Sequence, residues 1–185
     1  VTTEVDGETR KVFVTLDPAL SARYSLNSAF TPSGDFEIEA KISTTNAVDA
    51  LSVAGDSTDL TFKMITIAGV AWVLVGDGAV WQRQLDSGIG VADGLLHSVK
   101  FQKLGTTYNL YVDDVLSVTS TDADAVTPQI AEIGRHNGGN EFDGIIADVK
   151  LTDLTTPSNS LHYALNQLTA NTEESLINSN ALTYV

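Results

Sequence analysis

The sequence has no cysteine among its 185 residues, which excludes disulfides, thiolate metal sites and cysteine nucleophiles. It also lacks any apolar run near the ~20 residues that a membrane-spanning helix needs, so we expect no membrane insertion. Basic residues are scarce, with 10 Lys and Arg against 24 Asp and Glu and a formal net charge of −14. Because phosphate contacts need clustered Lys and Arg, this balance predicts no nucleic-acid partner.

The chain begins with Val1 and carries no signal-peptide pattern, so we interpret it as a piece of a larger product or a processed form. Its content of 43% hydrophobic and 18% charged residues is typical of a packed globule. The length suits one domain with a sizeable core. We therefore expect a single domain over residues 1–185, with residues 1–20 and 169–185 as flanking segments.

Thr, Val, Ile and aromatic residues occur in short runs separated by Gly, Asp and Asn, which is typical of strands joined by turns. Residues 35–42 alternate between polar and apolar side chains and predict a half-buried strand. Asp113 and Asp114 separate two further runs and predict a two-residue hairpin turn. About ten or eleven such strands with little helix predict an all-β fold, a two-sheet antiparallel sandwich or jelly roll.

Three segments follow one another in a characteristic order. They are Gly34–Ile42 (GDFEIEAKI), then Leu96–Phe101 (LHSVKF) with Gly105 and Tyr108–Asp113 (YNLYVD), then Ile133–Arg135 (IGR) with Phe142–Val149 (FDGIIADV). Over residues 24–165 this set resembles a laminin-G-like module of the concanavalin A-like lectin/glucanase jelly roll. Leu96 stands where the family usually has Trp, and Asp114 stands where the turn usually has Gly. The resemblance implies a two-sheet antiparallel jelly-roll sandwich.

The Thr- and Asn-rich tail and the plain hairpins without cysteine are similar to laminin-G-like modules in structural proteins of marine bacteriophages. That resemblance implies a virion location, or an extracellular or cell-surface one. It favours a non-catalytic module with a lectin-like adhesion role, whose partner is a glycan or polysaccharide. The alternative is a capsid or tail decoration protein that contacts another virion or surface protein and forms a homo-oligomer.

Asp35, Glu37 and Glu39 form a carboxylate constellation on one predicted strand. Alternate residues of a strand lie on one face about 7 Å apart, within the range at which two carboxylates flank a glycosidic bond. Glycosidases of the same superfamily carry a Glu-x-Asp strand, whereas the order here is Asp-x-Glu-x-Glu. We interpret the constellation as a solvated polar face with Lys41 on the same side. Glycoside hydrolysis by Glu37 or Glu39 is the third hypothesis.

Glycan binding requires an aromatic platform and planar polar groups. Trp81 and Arg83 share a face of one predicted strand, with Trp72 on its hairpin partner, and the loop at 135–140 adds further polar side chains. Core tryptophans and plain turn residues are the alternative interpretation. The predicted glycan-binding residues are Trp81, Arg83, Arg135, His136, Asn137 and Asn140.

No motif requires a cofactor, but calcium is a candidate because related modules bind it at a loop rim. Asp56 with Asp59, or Asp122 with Asp124, offers the oxygen ligands that calcium prefers. Solvated turn residues are the alternative interpretation of these pairs. The histidines have no metal-ligand spacing, and we predict that His97 holds a strand end by a hydrogen bond.

Overall fold

The structure is a computed structural model that describes residues 3–5, 8–10, 14–16, 24–56, 60–121, 127–135, 140–163, 172–174 and 181–184. These residues form seventeen strands and one short 3₁₀ helix at Pro157–Asn159. The strands are β1 (Thr3–Val5), β2 (Glu8–Arg10), β3 (Val14–Leu16), β4 (Tyr24–Phe30), β5 (Phe36–Ser43), β6 (Ala50–Gly55), β7 (Phe62–Ile67), β8 (Val70–Gly76), β9 (Trp81–Gly90), β10 (His97–Leu104), β11 (Thr107–Val112), β12 (Val115–Thr121), β13 (Ile130–Ile133), β14 (Gly144–Asp153), β15 (Leu161–Tyr163), β16 (Thr172–Glu174) and β17 (Ala181–Tyr184).

Two antiparallel sheets make up the sandwich. The seven-stranded sheet has the order β12-β11-β10-β5-β14-β15, with β3 also paired to β14. The eight-stranded sheet has the order β16-β17-β4-β13-β6-β7-β8-β9, and β1 pairs with β2 in a separate ribbon. The predicted all-β jelly-roll sandwich is therefore confirmed. The strand count exceeds the predicted ten or eleven because strands of three or four residues are too short to show a periodic pattern.

Strand β5 shows how the sequence pattern produces the sheet. Its apolar residues Phe36, Ile38, Ala40 and Ile42 are at most 1% exposed, and the residues between them are half-buried. The predicted alternation over this strand is confirmed. Because β5 lies between β10 and β14, its apolar face is covered by the opposite sheet and its polar face points outward.

An aromatic cluster joins the two sheets. The ring of Phe101 on β10 lies 5.4 Å from that of Phe62 on β7, 5.7 Å from Phe36 and 6.0 Å from Tyr108. Phe62 belongs to the eight-stranded sheet and the other three to the seven-stranded sheet. Burial of large rings dominates core energetics, so this cluster is a main source of the attraction between the sheets. In the parts of the chain that the structure describes, no helix is long and apolar enough to span a membrane.

The predicted hairpin turn at Asp113–Asp114 is confirmed. Both residues have positive φ angles, 51° and 62°, and Val112 pairs with Val115 across the turn. Left-handed conformation at both central residues is the type I′ geometry that suits a two-residue hairpin. Aspartate adopts it more readily than most residues other than glycine, so the hairpin forms without the usual glycine.

His97 stabilises the start of β10 next to this turn, as the sequence predicts. Its Nδ1 lies 2.8 Å from the Asp113 carboxylate and its Nε2 lies 3.0 Å from the Asp93 carboxylate. The second oxygen of Asp113 accepts a hydrogen bond from the Ser98 N–H at 2.9 Å. Burial lowers the pKa of His97, but the two carboxylates outweigh it and raise the pKa above its ordinary value.

Asp153, at the end of β14, is fully buried and links distant segments. Its carboxylate accepts hydrogen bonds from the backbone N–H groups of Ser33 at 2.9 Å, Thr155 at 2.9 Å and Thr156 at 2.7 Å. Its own N–H donates to the Ser160 hydroxyl at 3.0 Å. Burial raises the pKa of Asp153, but the hydrogen bonds, chiefly from Ser33 and Thr156, outweigh it and lower the pKa.

We expect Asp153→Asn to lower the free energy of unfolding at neutral pH by about 2–4 kcal/mol, because buried donors lose a charged acceptor. The folded pKa lies below the unfolded value of ~3.9, so the stabilisation is present above that pH and is lost as the pH falls through the folded pKa. Urea denaturation at neutral pH and in strong acid measures this. The exposed-turn variant Asp114→Asn is the control. If the difference in free energy of unfolding between the wild type and Asp153→Asn is the same in strong acid as at neutral pH, the role of the charged Asp153 carboxylate is contradicted.

Candidate functional site

The outward face of the seven-stranded sheet carries a continuous line of polar side chains, here called the polar row. It consists of Glu37 on β5, Gln102 on β10, Asn109 on β11 and Thr119 on β12, each opposite the next in register. Gln102 Nε2 donates to Glu37 Oε2 at 2.8 Å, and Asn109 Nδ2 donates to Gln102 Oε1 at 3.2 Å. Thr119 Oγ1 donates to Asn109 Oδ1 at 2.9 Å. Hydrogen bonds thus hold polar side chains of four strands in one line, three of them planar.

An aromatic ring lies beside the polar row. Tyr111 on β11 donates its hydroxyl hydrogen to Gln102 Oε1 at 3.3 Å. Lys100 lies opposite Tyr111 on β10 and places its Nζ 4.6 Å from the ring centroid. On the other side, the exposed Leu116 of β12 is the register neighbour of Tyr111. The same face therefore combines a ring, two amides, a carboxylate and an ammonium group.

A second set of outward side chains, here called the charge network, lies toward β15. Its members are Glu39, Lys41, Asp148, Lys150 and His162. Asp148 lies 3.3 Å from Lys41 Nζ, 3.6 Å from Lys150 Nζ and 2.5 Å from His162 Nε2, and Glu39 lies 3.7 Å from Lys150 Nζ. Burial raises the pKa of Asp148, but His162 and the two lysines outweigh it and lower the pKa. These groups neutralise one another.

The three carboxylates of the predicted constellation have different surroundings. Glu37 and Glu39 share the outward face, as their spacing predicts, and belong to the polar row and the charge network respectively. Asp35 precedes β5, and its Oδ1 accepts the Gly105 N–H at 2.7 Å and lies 3.8 Å from Lys103 Nζ. Asp35 therefore holds the turn between β10 and β11.

Trp81 and Arg83 lie on β9, the last strand in the order of the eight-stranded sheet. Trp81 is opposite Gly76 and Arg83 is opposite Val75, a core residue. Trp72 is opposite Asp86 and alternates with the core residues of β8, so it points outward. The strand register therefore places Arg83 and Trp72 on opposite faces of the sheet, while a register shift between Val75 and Gly76 brings Trp81 opposite Gly76.

The loop after β13 contains the remaining predicted residues. Arg135 Nε lies 3.5 Å from Glu141 Oε1, while His136 and Asn137 lie outside the described residues. A pocket of about 280 Å³ is lined by Asn46, Asp49, Ala50, Leu51, Asn140, Glu141 and Asp143. Asn140 and Glu141, the ion-pair partner of Arg135, thus line the same pocket. In the sheet, β6, β7 and β8 lie between this loop and β9.

Lys63 is a buried lysine that contacts this loop. Its Nζ donates to Asn140 Oδ1 at 2.8 Å. Burial lowers the pKa of Lys63 to about 8, against the raising effect of the nearby Asp56 carboxylate. The side-chain oxygen of Asn140 is therefore occupied by a contact within the protein.

Asp56, one of the predicted calcium ligands, is 1% exposed. Its Oδ2 accepts hydrogen bonds from the Thr61 N–H at 2.6 Å, the Thr61 hydroxyl at 2.8 Å and the Phe62 N–H at 3.2 Å. Asp59, like Asp122 and Asp124, lies outside the described residues. Within the described ranges, no three His, Asp or Glu residues are grouped so that they could hold a metal ion.

The sequence did not identify Lys100, Gln102, Asn109 and Tyr111 as candidate functional residues. Their alternation along β10 and β11 with the buried Val99, Phe101, Leu110 and Val112 indicates that they share the polar side of each strand. The pairing of those two strands then brings them together. The sequence signal for these residues is the occurrence of aromatic and amide side chains at alternate positions of two adjacent strands.

The fold defined by these sheets is an antiparallel jelly-roll sandwich. No family model matches the sequence, and no curated protein matches it. Three solved structures are similar: a candidate carbohydrate-binding protein from Bacteroides ovatus (14% identity, TM-score 0.64), the mouse laminin α1 chain domains LG4-5 (14% identity, TM-score 0.54) and the heptameric SAP-like pentraxin from Limulus polyphemus (11% identity, TM-score 0.58).

The matches cover 88%, 86% and 88% of this chain, respectively. They cover 57% of the Bacteroides protein, 49% of the laminin chain and 88% of the pentraxin. The chain thus spans about half the length of the first two structures. At identities of 11–14%, the similarity establishes the jelly-roll fold.

We expect Asp56→Asn to lower the free energy of unfolding by about 1–3 kcal/mol, since buried turn donors lose a charged acceptor. The loss should be the same in calcium chloride and in EDTA, because the Asp56 carboxylate serves the turn. Urea denaturation in both buffers measures it. A loss seen in calcium but absent in EDTA contradicts this and makes Asp56 a calcium ligand.

Proposed function

We propose that this protein is a non-catalytic glycan-binding module whose ligand lies on the polar row, Tyr111 and Lys100. The observation that carries the proposal is a line of hydrogen-bonded polar side chains beside an aromatic ring on an outward sheet face. A sugar presents hydroxyl groups that donate and accept hydrogen bonds, and a face of C–H groups that packs on a ring. Amide and carboxylate side chains match the hydroxyls, and Tyr111 matches the apolar face.

The polar row retains hydrogen-bonding capacity for a ligand. Each amide nitrogen carries two hydrogens, and Gln102 and Asn109 each donate one within the row. The second hydrogen of each amide is available to a sugar hydroxyl. Because strand pairing already fixes these side chains, binding orders few additional rotamers, which lowers the entropic cost of association.

Two further points support a glycan as the ligand and a surface location. One of the similar structures is described as a candidate carbohydrate-binding protein, although its similarity is in fold alone. The sequence resemblance to modules of marine bacteriophage structural proteins favours display on a virion or another extracellular surface. In this proposal the module contributes adhesion rather than chemistry.

A decoration protein that acts through protein contacts is the second candidate function. Val115 and Leu116 on β12 are 62% and 51% exposed, and β12 is the terminal strand in the order of its sheet. Exposed apolar residues on an edge strand favour contact with another protein chain. This role predicts particle binding or self-association in place of glycan binding.

A glycan array tests the proposal, run in calcium and again in EDTA. We expect specific binding of the wild-type protein in both, and a loss of about tenfold or more in affinity for Tyr111→Ala, which removes the stacking surface. Tyr111→Phe, which keeps the ring, is the matched control. A blank array in both buffers contradicts glycan binding and favours the decoration role. Loss with Trp81→Ala but not with Tyr111→Ala moves the site to β9.

We expect no hydrolysis of polysaccharides by the wild-type protein or by the Glu37→Gln and Glu39→Gln variants. The reason is that Glu37 is bound within the polar row and Glu39 is bound by Lys150 and Ser98. Reducing-end release from a panel of polysaccharides is the measurement. Wild-type turnover that disappears in either variant would establish the hydrolase hypothesis instead.

A further inference from the structure

We infer that Lys100 and Tyr111 form a subsite for an acidic sugar, a glycan unit that carries a carboxylate. The inference rests on the proposed glycan-binding function and names the ligand class. Lys100 and Tyr111 lie opposite each other on β10 and β11, with the ammonium 4.6 Å from the ring centroid. The charged group and the stacking surface are therefore next to each other on the sheet.

Lys100 differs from the other lysines of this face in its contacts. Lys41 and Lys150 lie 3.3 Å and 3.6 Å from the Asp148 carboxylate. Within the described part of the chain, Lys100 has no carboxylate within 4.0 Å and contacts the Tyr111 ring instead. A half-buried lysine without a carboxylate partner among the described residues is unexpected in a chain with 24 acidic and 10 basic residues.

The register neighbour of Lys100 does not satisfy its charge. Glu39 lies opposite Lys100 on β5, but its carboxylate lies 3.7 Å from Lys150 Nζ and accepts the Ser98 hydroxyl at 3.3 Å. The Glu39 carboxylate therefore contacts Lys150 on β14 and Ser98 on β10, and the Lys100 ammonium lies at the Tyr111 ring instead. A ligand carboxylate at this position would give Lys100 the anionic partner that the described residues do not provide.

The position of the ammonium also discriminates between neutral and acidic sugars. A neutral sugar that stacks on Tyr111 displaces Lys100 from the ring and offers no charge in return. An acidic sugar compensates Lys100 with a carboxylate, and a charge-assisted hydrogen bond is stronger than an exposed cation–π contact. The flexible four-carbon stem of lysine allows the ammonium to move from the ring to the ligand.

The local charge balance permits an anion to approach despite the net charge of −14. The polar row and the charge network together place three carboxylates, Glu37, Glu39 and Asp148, on the face. Lys41, Lys100 and Lys150 balance them. At physiological salt the field of a charge is screened over about 8 Å, so this local balance outweighs distant acidic residues.

The test is an array on which acidic glycans are printed beside their uncharged counterparts, followed by calorimetry on the glycans that bind. The pairs include oligogalacturonates with their methyl esters and sialyllactose with lactose. We expect the acidic member to bind about tenfold more tightly, as one additional charge-assisted hydrogen bond implies. Lys100→Gln should remove most of that difference between the acidic and the neutral member.

Lys41→Gln is the matched control, because it removes the same charge from a lysine of this face that already pairs with the Asp148 carboxylate. It should leave the preference for the acidic member intact. Equal binding of acidic and neutral members, or an unchanged preference in Lys100→Gln, overturns the acidic subsite while the glycan-binding function stands. Binding of no glycan overturns both.

Discussion

The register of β5 between β10 and β14 is the constraint on which both faces of the seven-stranded sheet depend. Side chains of a strand alternate between faces, so a shift of one residue would expose Ile38 and bury Glu37. Ile38 is held by Phe101 on one side and Leu151 on the other, all three fully buried. The free energy gained by burying these residues therefore also fixes the line of polar side chains on the opposite face.

The polar side of the sheet shows how a rigid scaffold prepares a binding surface. Hydrogen bonds across β5, β10 and β11 orient the side chains of Glu37, Gln102 and Asn109 before a ligand arrives. The charge network neutralises most of the remaining charge, whereas the Lys100 ammonium lies over the Tyr111 ring and forms no ion pair among the described residues. On this face most of the described charged groups are paired, and the Lys100 ammonium is not. Such a face is suited to selective binding of a ligand that carries a carboxylate.

Local sequence patterns predicted the fold because its determinants are local. The alternation predicted over residues 35–42, observed as the strand Phe36–Ser43, and the Asp113–Asp114 turn depend on neighbouring residues and are confirmed. The polar row depends on register between strands, and Glu37 and Gln102 are 65 residues apart. No local pattern reveals such a pairing. The sequence indicated Trp81 as an aromatic platform on the same strand face as Arg83, and its binding role stays a prediction.

The central claim is that a glycan binds the polar side of the seven-stranded sheet. The most direct measurement is an NMR titration of the ¹⁵N-labelled protein with the array glycan that binds most tightly, following side-chain amide resonances. The account predicts that the amides of Gln102 and Asn109 shift while that of Asn46, which lines the loop pocket, stays unchanged. Shifts at Asn46 and Asn140 with Gln102 and Asn109 unperturbed would contradict it.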